Sequence, residues 1–328
     1  MRIFWDERQR AHRPRAEFFN GALHPAAESE SRTDSILAAI GPAEAPEDHG
    51  ETPIHRVHDV GYVAFLERAH RDWLAAGREG DAFPYTFPVV HRRLRSFNRI
   101  DADLGQYSID TSTPIGPGTW QASYWGAQCA LSGVEAVLGG SNAFALCRPP
   151  GHHAGKDYCG GYSYLNNAVI AAAHAQARGA ARVAILDVDY HHGNGTQDMV
   201  ADLDGVRFAS LHADPLTDYP FFWGHADENG DKVHNLPLPR GTTFPAYDAA
   251  LARACDWLAE DEPELLVVSF GADTFEGDPI SHFALRTDDY PRLAGRIAAL
   301  GLPTLVVMEG GYAVDALGPN VAAFLSGF

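Results

Sequence analysis

Asp187, Asp189 and His191 alternate within RVAILDVDYHHGNGT, the stretch from Arg182 to Thr196. A spacing of two puts two carboxylates and an imidazole on the same side of an extended chain, where their donor atoms can converge on one cation. Asp273, in SFGADTFEGDP, lies just beyond another apolar run. Asp189, His191 and Asp273 thus offer two carboxylates and one imidazole with a position left open, the donor pattern of a catalytic zinc site; structural zinc prefers four ligands rich in cysteine. A metal held there would polarise a carbonyl and make a water more acidic. His152 and His153, adjacent in RPPGHHAGKDYCGGYSY, supply an imidazole to take a proton and return it to an amine. Tyr312, after Gly310 and Gly311, can donate a hydrogen bond to a developing oxyanion, although a packed aromatic would read the same way. Together these groups describe amide hydrolysis.

Such residues need a frame. Val183–Leu186 is an apolar run suited to a strand buried on both faces, and AFALC, VRFASLH, ELLVVSF and TLVVM read likewise. Between them lie helical patterns beginning near Thr119, Leu165, Ala246 and Asp288, with a closing helix near Asp315–Leu325. Alternation of this kind predicts a mainly parallel sheet flanked by helices in a single α/β domain over 1–328, with ligands beyond the carboxyl ends of the strands. Four of those strand ends carry the polar loops that begin RPPGHH, YHHGNGT, GADTFEGDP and EGGY. Before Thr119, Arg2–Trp5 reads as a strand, about Asp34–Ile40 as a small helix, and Tyr62–Ala76 as an amphipathic helix capped by Asp59. Segment 77–118 shows no sustained period and reads as a long loop insertion; its basic cluster HRRLRSFNR, among Phe83, Tyr85, Phe87 and Phe97, points to a subunit contact over nucleic-acid binding.

Composition narrows the partners. With 43 acidic and 25 basic residues among 328, the formal charge of −18 disfavours nucleic acid and anionic membrane and favours a cationic ligand. Cys129, Cys147, Cys159 and Cys255 are scattered, as in a reducing cytoplasm, and no apolar run approaches the roughly 20 residues of a membrane span.

The motifs CRPPGHHAGKDYCGGYSYLNNA, ILDVDYHHGNGTQD, ASLHADP, SFGADTFEGDPIS and VVMEGGY closely resemble those of the histone deacetylase superfamily, within it the bacterial acetylpolyamine amidohydrolases. The resemblance implies an arginase/deacetylase-like fold, one catalytic zinc on Asp189, His191 and Asp273, a histidine dyad at His152 and His153, and an oxyanion tyrosine at Tyr312. It also implies that Asp187 partners His152 and Asn194 orients His153, with His153 the main proton shuttle. A structural potassium is implied at Asp187, Asp189, His191, Ser210 and Leu211. Gly161, Tyr162 and Tyr219 match the substrate tunnel, the implied substrate is a small cationic acetylated amine, and segment 77–118 resembles the insertion that builds a homodimer and narrows the entrance. The chain departs from the polyamine pattern near GQYSIDTSTPIGPGTW, where Leu104 and Ser112 stand at positions expected to be acidic; Asp101, Asp103 and Asp110 are the nearest substitutes. Alternatives are a deacylase of acetyl-lysine or of other small amides and esters, and a binuclear manganese ureohydrolase, which needs more bridging carboxylates than SFGADTFEGDP offers.

Overall fold

The computed structural model describes residues 1–88 and 95–328. Its centre is a seven-stranded sheet made of β1 (Arg2–Phe4), β4 (Ala143–Ala145), β5 (Val183–Asp187), β6 (Val206–Ala213), β7 (Val233–Leu238), β8 (Leu265–Phe270) and β9 (Thr304–Met308). The order across the sheet is β1-β4-β9-β8-β5-β6-β7, and every neighbouring pair is parallel. Alternate strand residues serve opposite faces, as the pleat requires. Val183, Ile185, Val267 and Val307 pack with α3 (Val60–Ala75), α5 (Thr119–Leu138) and α6 (Asn167–Ala177). Leu186, Val268, Val306 and Met308 pack with α1 (Glu30–Ile40), α8 (Phe244–Ala259), α9 (Tyr290–Ala298) and α10 (Val314–Leu325). Two hydrophobic cores thus sandwich the sheet, which is why the central strands β5, β8 and β9 are apolar at most positions and turn polar toward their ends.

The expected element order holds, and Asp59 caps α3 by accepting the N–H of Gly61 and Tyr62. Several features were not foreseen, among them the edge strand β7 and the short helix α2 (Thr52–His55). The polar approach before α1 contains an antiparallel hairpin, β2 (Ala16–Phe19) and β3 (Ala22–Pro25), turned by Asn20 and Gly21 with φ of 50° and 79°. Asn-Gly is the pair that a two-residue hairpin turn with both residues left-handed favours, so the signal was present. Segment 77–118 is more ordered than a loop: it holds α4 (Ile100–Gln106), pairs Ala82 with Ile115, and buries Ile100, Leu104 and Ile115 in the core. The expected basic cluster falls partly on residues 89–94, outside the described residues; nearby, Tyr85, Phe87 and Phe97 are exposed. Finally, α7 (Asn194–Val200) starts directly after the central ligand stretch. Among the described residues no helix is long and apolar enough to cross a membrane.

Candidate active site

The four polar loops leave β4, β9, β8 and β5, which are consecutive in the sheet, so residues far apart in sequence emerge along one edge. Asp187 is the last residue of β5; Asp189 and His191 lie beyond it. Their alternation is not carried by extended strand. The Asp189 N–H donates to Asp187 Oδ1 at 3.1 Å and the His191 N–H to Asp189 Oδ1 at 2.8 Å, two successive side-chain-to-backbone turns that bring each acid back over the next peptide.

Asp189, His191 and Asp273 meet with one donor atom from each within 4.8 Å of the others, the one cluster of metal-ligand spacing among the described residues. His191 Nδ1 stands 3.1 Å from Asp273 Oδ2 and 3.4 Å from Asp189 Oδ1. Burial opposes charge on His191, but hydrogen bonds to the two carboxylates outweigh it and bring the imidazole up to about 10. Burial and the facing Asp189 push the Asp273 carboxyl up to about 7. Two fully buried acids held face to face call for a shared cation. The backbone leaves room for one: a Cβ on Gly271 would fall 1.9 Å from Asp189 Oδ2, and one on Gly310 would fall 2.4 Å from Asp273 Oδ2. Donor set and cradle both fit a zinc ion with an open position.

His152 and His153 sit beside this cluster with ring centroids 4.0 Å apart. His152 Nδ1 donates to Asp187 Oδ2 at 3.0 Å. Burial works against its charge, yet Asp189 and Asp187 prevail and raise it to about 10. His153 Nδ1 meets Asn194 Oδ1 at 2.7 Å; burial and the adjacent His152 hold this imidazole well below its ordinary range. The two rings are therefore driven in opposite directions, His152 toward its charged form and His153 toward its neutral form. Tyr312 is buried, which keeps its phenol protonated although the Arg32 guanidinium, 4.9 Å from the ring centre, opposes that effect.

Sequence reasoning assigned no role to the groups that hold these loops. Glu309, wholly buried, accepts the Gly151 N–H at 2.6 Å, the His152 N–H at 3.1 Å and the Ser269 hydroxyl at 3.1 Å. Asp278 accepts the N–H of Tyr312 at 2.7 Å and of Ala313 at 3.2 Å. Arg32 reaches from α1 to the carbonyls of Glu309 and Gly311. An acid directly after the apolar run Leu305–Met308 was the available signal for Glu309; Arg32 had none, because its partners lie 277 and 279 residues away, beyond any local pattern.

A cavity of about 250 Å³ opens over the site, bounded by His153, His191 and Tyr312 at its base and by Gly161, Tyr162 and Tyr219 at its walls. Gly161 has φ +52°, and a Cβ there would lie 2.1 Å from the His153 ring, so only glycine lets the backbone run against the imidazole. Of the three acids expected near the entrance, only Asp110 reaches the site: it accepts the Gly161 N–H at 2.7 Å and the Tyr219 hydroxyl at 2.9 Å. Asp101 is taken up by Arg78 and Arg99, Asp103 by Arg68. Leu104 is in the core, whereas Ser112 lines the cavity. Glu17 lines it too, an acid that the sequence reading missed. It is 4% exposed, one carboxylate oxygen has no hydrogen-bond partner, and burial raises its pKa against a hydrogen bond from Tyr162.

Below the site Ser210 lies beside Asp187 in register. His212 Nε2 must donate to the Gly224 carbonyl at 2.8 Å, so its Nδ1 accepts the Ser210 hydroxyl at 2.8 Å and the serine lone pairs stay free.

The sheet order and the placement of the site along the carboxyl edge define a protein of the deacetylase fold. The chain belongs to the histone deacetylase family: the model of the histone deacetylase domain matches residues 24–328. Acetylpolyamine amidohydrolase 1 of Pseudomonas aeruginosa is 48% identical, covering 100% of this chain and 99% of the relative. The acetylpolyamine amidohydrolase of Mycoplana ramosa is 43% identical, covering 100% and 99%. The crystal structure of the acetylpolyamine aminohydrolase from Burkholderia pseudomallei superposes with a TM-score of 0.95 at 39% identity, covering 100% of this chain and 98% of that one.

Proposed function

We propose that the chain is a zinc-dependent amidohydrolase that deacetylates small N-acetylated amines, acetylpolyamines foremost. The observation that carries this reading is Glu17: a buried carboxylate with an unpartnered oxygen in the wall of the same cavity that exposes His153 and Tyr312 at its base. A buried carboxylate oxygen left without a partner is costly, and an ammonium at the far end of the substrate would satisfy it. Asp189, His191 and Asp273 would hold the zinc, which supplies Lewis acidity toward the acetyl carbonyl and an acidified water. His153, neutral and with Nδ1 engaged by Asn194, has Nε2 free to take a proton and return it to the leaving amine. His152, held charged by Asp187 and Asp189, adds positive potential where negative charge develops. The Tyr312 phenol, kept protonated by burial, donates to the oxyanion. Tyr162 and Tyr219 flank the aliphatic stem between the two ends.

The same reading takes a potassium ion at Asp187, Asp189, His191, Ser210 and Leu211, supported by the free serine lone pairs, and a homodimer through segment 77–118, supported by the exposed aromatic side chains there. The deciding experiment is a panel of acetylputrescine, acetylspermine and acetyl-lysine peptides with metal analysis of the purified protein. One zinc per chain and a kcat/KM that favours the free cationic amines is the expected result. Preference for the peptides, or two manganese ions per chain, would replace it with one of the alternatives.

A further inference from the structure

The two histidines differ in what stands behind them. Asp187 presents only acceptors to His152, so its orientation carries no ambiguity, whereas the Asn194 side chain has a carbonyl at one end and an NH2 at the other. Which end faces His153 decides where that ring keeps its proton. With the carbonyl toward Nδ1, as found at 2.7 Å, the proton sits on Nδ1 and the Nε2 lone pair is available. With the amide turned over, its NH2 would donate to Nδ1, the ring proton would move to Nε2, and the imidazole could not accept a proton from the cavity side.

An asparagine in this place therefore needs something to hold it. Asn194 Nδ2 has the His153 carbonyl at 3.4 Å and the Tyr158 hydroxyl at 3.3 Å. The Tyr158 hydroxyl is directional. It donates to Asp198 Oδ2 at 2.6 Å, because a carboxylate can only accept, so what it turns toward Asn194 is a lone pair. That lone pair suits the NH2 end and rejects the carbonyl. Asp198 is itself fixed at its other oxygen by the Trp223 indole N–H at 3.1 Å. Two sequence features fit the arrangement. Asn194 and Asp198 are one helical turn apart in α7, on the same face, with Tyr158 bridging them. Gly155 gives the Tyr158 ring its place, since a Cβ there would stand 2.2 Å from the ring, and the Gly155 N–H donates to the Tyr158 carbonyl at 3.0 Å.

We infer that Tyr158 and Asp198 are positioning residues that lock the Asn194 amide with its carbonyl toward His153 and thereby keep the His153 proton on Nδ1. The inference rests on His153 being the proton acceptor of the proposed reaction, but the lock itself can be read without any substrate. In 15N-histidine-labelled, zinc-loaded protein, the His153 resonances, assigned by their loss in His153→Gln, are expected to show the Nδ1–H tautomer. In Tyr158→Phe the Nε2–H tautomer becomes populated, and kcat falls about 10-fold with KM changed less than about twofold. Asn194→Asp removes the ambiguity because both carboxylate oxygens accept, so Tyr158→Phe added to Asn194→Asp costs less than about twofold further. Asp198→Ala keeps the phenol and frees its hydrogen; it shifts the tautomer in the same direction and serves if Tyr158→Phe does not fold. A His153 that stays Nδ1–H in both Tyr158→Phe and Asp198→Ala overturns the inference. So does a loss of kcat from Tyr158→Phe that is equally large with and without the Asn194→Asp substitution. A protein inactive on every acetylated amine would still report the tautomers, so failure of the proposed reaction and failure of the lock are told apart.

Discussion

Glu309, one residue past the end of β9, accepts the main-chain N–H of His152 at 3.1 Å through the same oxygen that takes the Gly151 N–H at 2.6 Å. Its other oxygen takes the Ser269 hydroxyl on the neighbouring strand. The histidine loop is thus tied to the two strands beneath it by one carboxylate, whose pKa burial raises to about 7 while the nearby His152 draws it down.

Glu309→Ala leaves two buried N–H groups without an acceptor, a loss of about 1–3 kcal/mol for each group left unpaired. Denaturant unfolding should show that destabilisation, with kcat reduced because His152 and His153 lose their fixed place. Glu309→Gln keeps one acceptor and recovers part of both. Equal stability of Glu309→Ala and the wild type would show that water replaces the carboxylate at no cost.

The pH dependence follows from the unequal histidines. In the proposed reaction His153 must be neutral to accept a proton, and its pKa lies below 6.5, so activity is lost only as pH falls through that lower value. In that reaction His152 would act as a cation, and its charge is lost as pH rises through about 10. A zinc ion held beside both rings would disfavour their charged forms and move both limbs down. The kcat/KM profile should therefore have its acid limb below 6.5 and its basic limb at or below about 10. An acid limb above 7 would remove His153 from the role of base.

How much of this was legible depended on whether the responsible contact was local. The buried strands and the candidate ligands Asp189, His191 and Asp273 announce themselves because a strand sandwiched between two cores is largely apolar, so polar groups of ligand type just beyond its end stand out. That the four loops leave consecutive strands was not legible, since strand order is set by long-range pairing. Asp101, Asp103 and Asp110 were equivalent by distance along the chain; only the folded positions of Arg68, Arg78 and Arg99 separate them. Glu17 was hidden for another reason: β2 is a short hairpin strand with an exposed phenylalanine at each of its last two positions, and its one inward residue is the polar one.

Tyr312→Phe deletes only the hydroxyl and leaves the ring packed 5.6 Å from Tyr162. Removal of one oxyanion donor lowers kcat by about 100–1,000-fold in comparable sites. Zinc content should be unchanged, because Tyr312 is not among Asp189, His191 and Asp273. Unaltered kcat would place the oxyanion donor elsewhere; lost zinc would make the residue structural.

Glu17→Gln tests the charge of the cavity wall without changing its shape. The amide can still meet a polar group, but it no longer complements an ammonium, and a charge-assisted hydrogen bond is worth about 1.5–3 kcal/mol, roughly 10- to 150-fold in affinity. The loss should fall on KM for acetylputrescine and acetylspermine, whereas an uncharged acetamide of the same length, which never satisfied the carboxylate, should be handled as well as before or better. The difference between the two substrates is the measurement: a variant equally impaired on both would place Glu17 in the scaffold of the β2 and β3 hairpin, leaving recognition of the distal amine to Asp110. The geometry favours Glu17, because Asp110 accepts from Gly161 and Tyr219 at one oxygen and from the Ser112 N–H at the other, while one oxygen of Glu17 accepts from nothing.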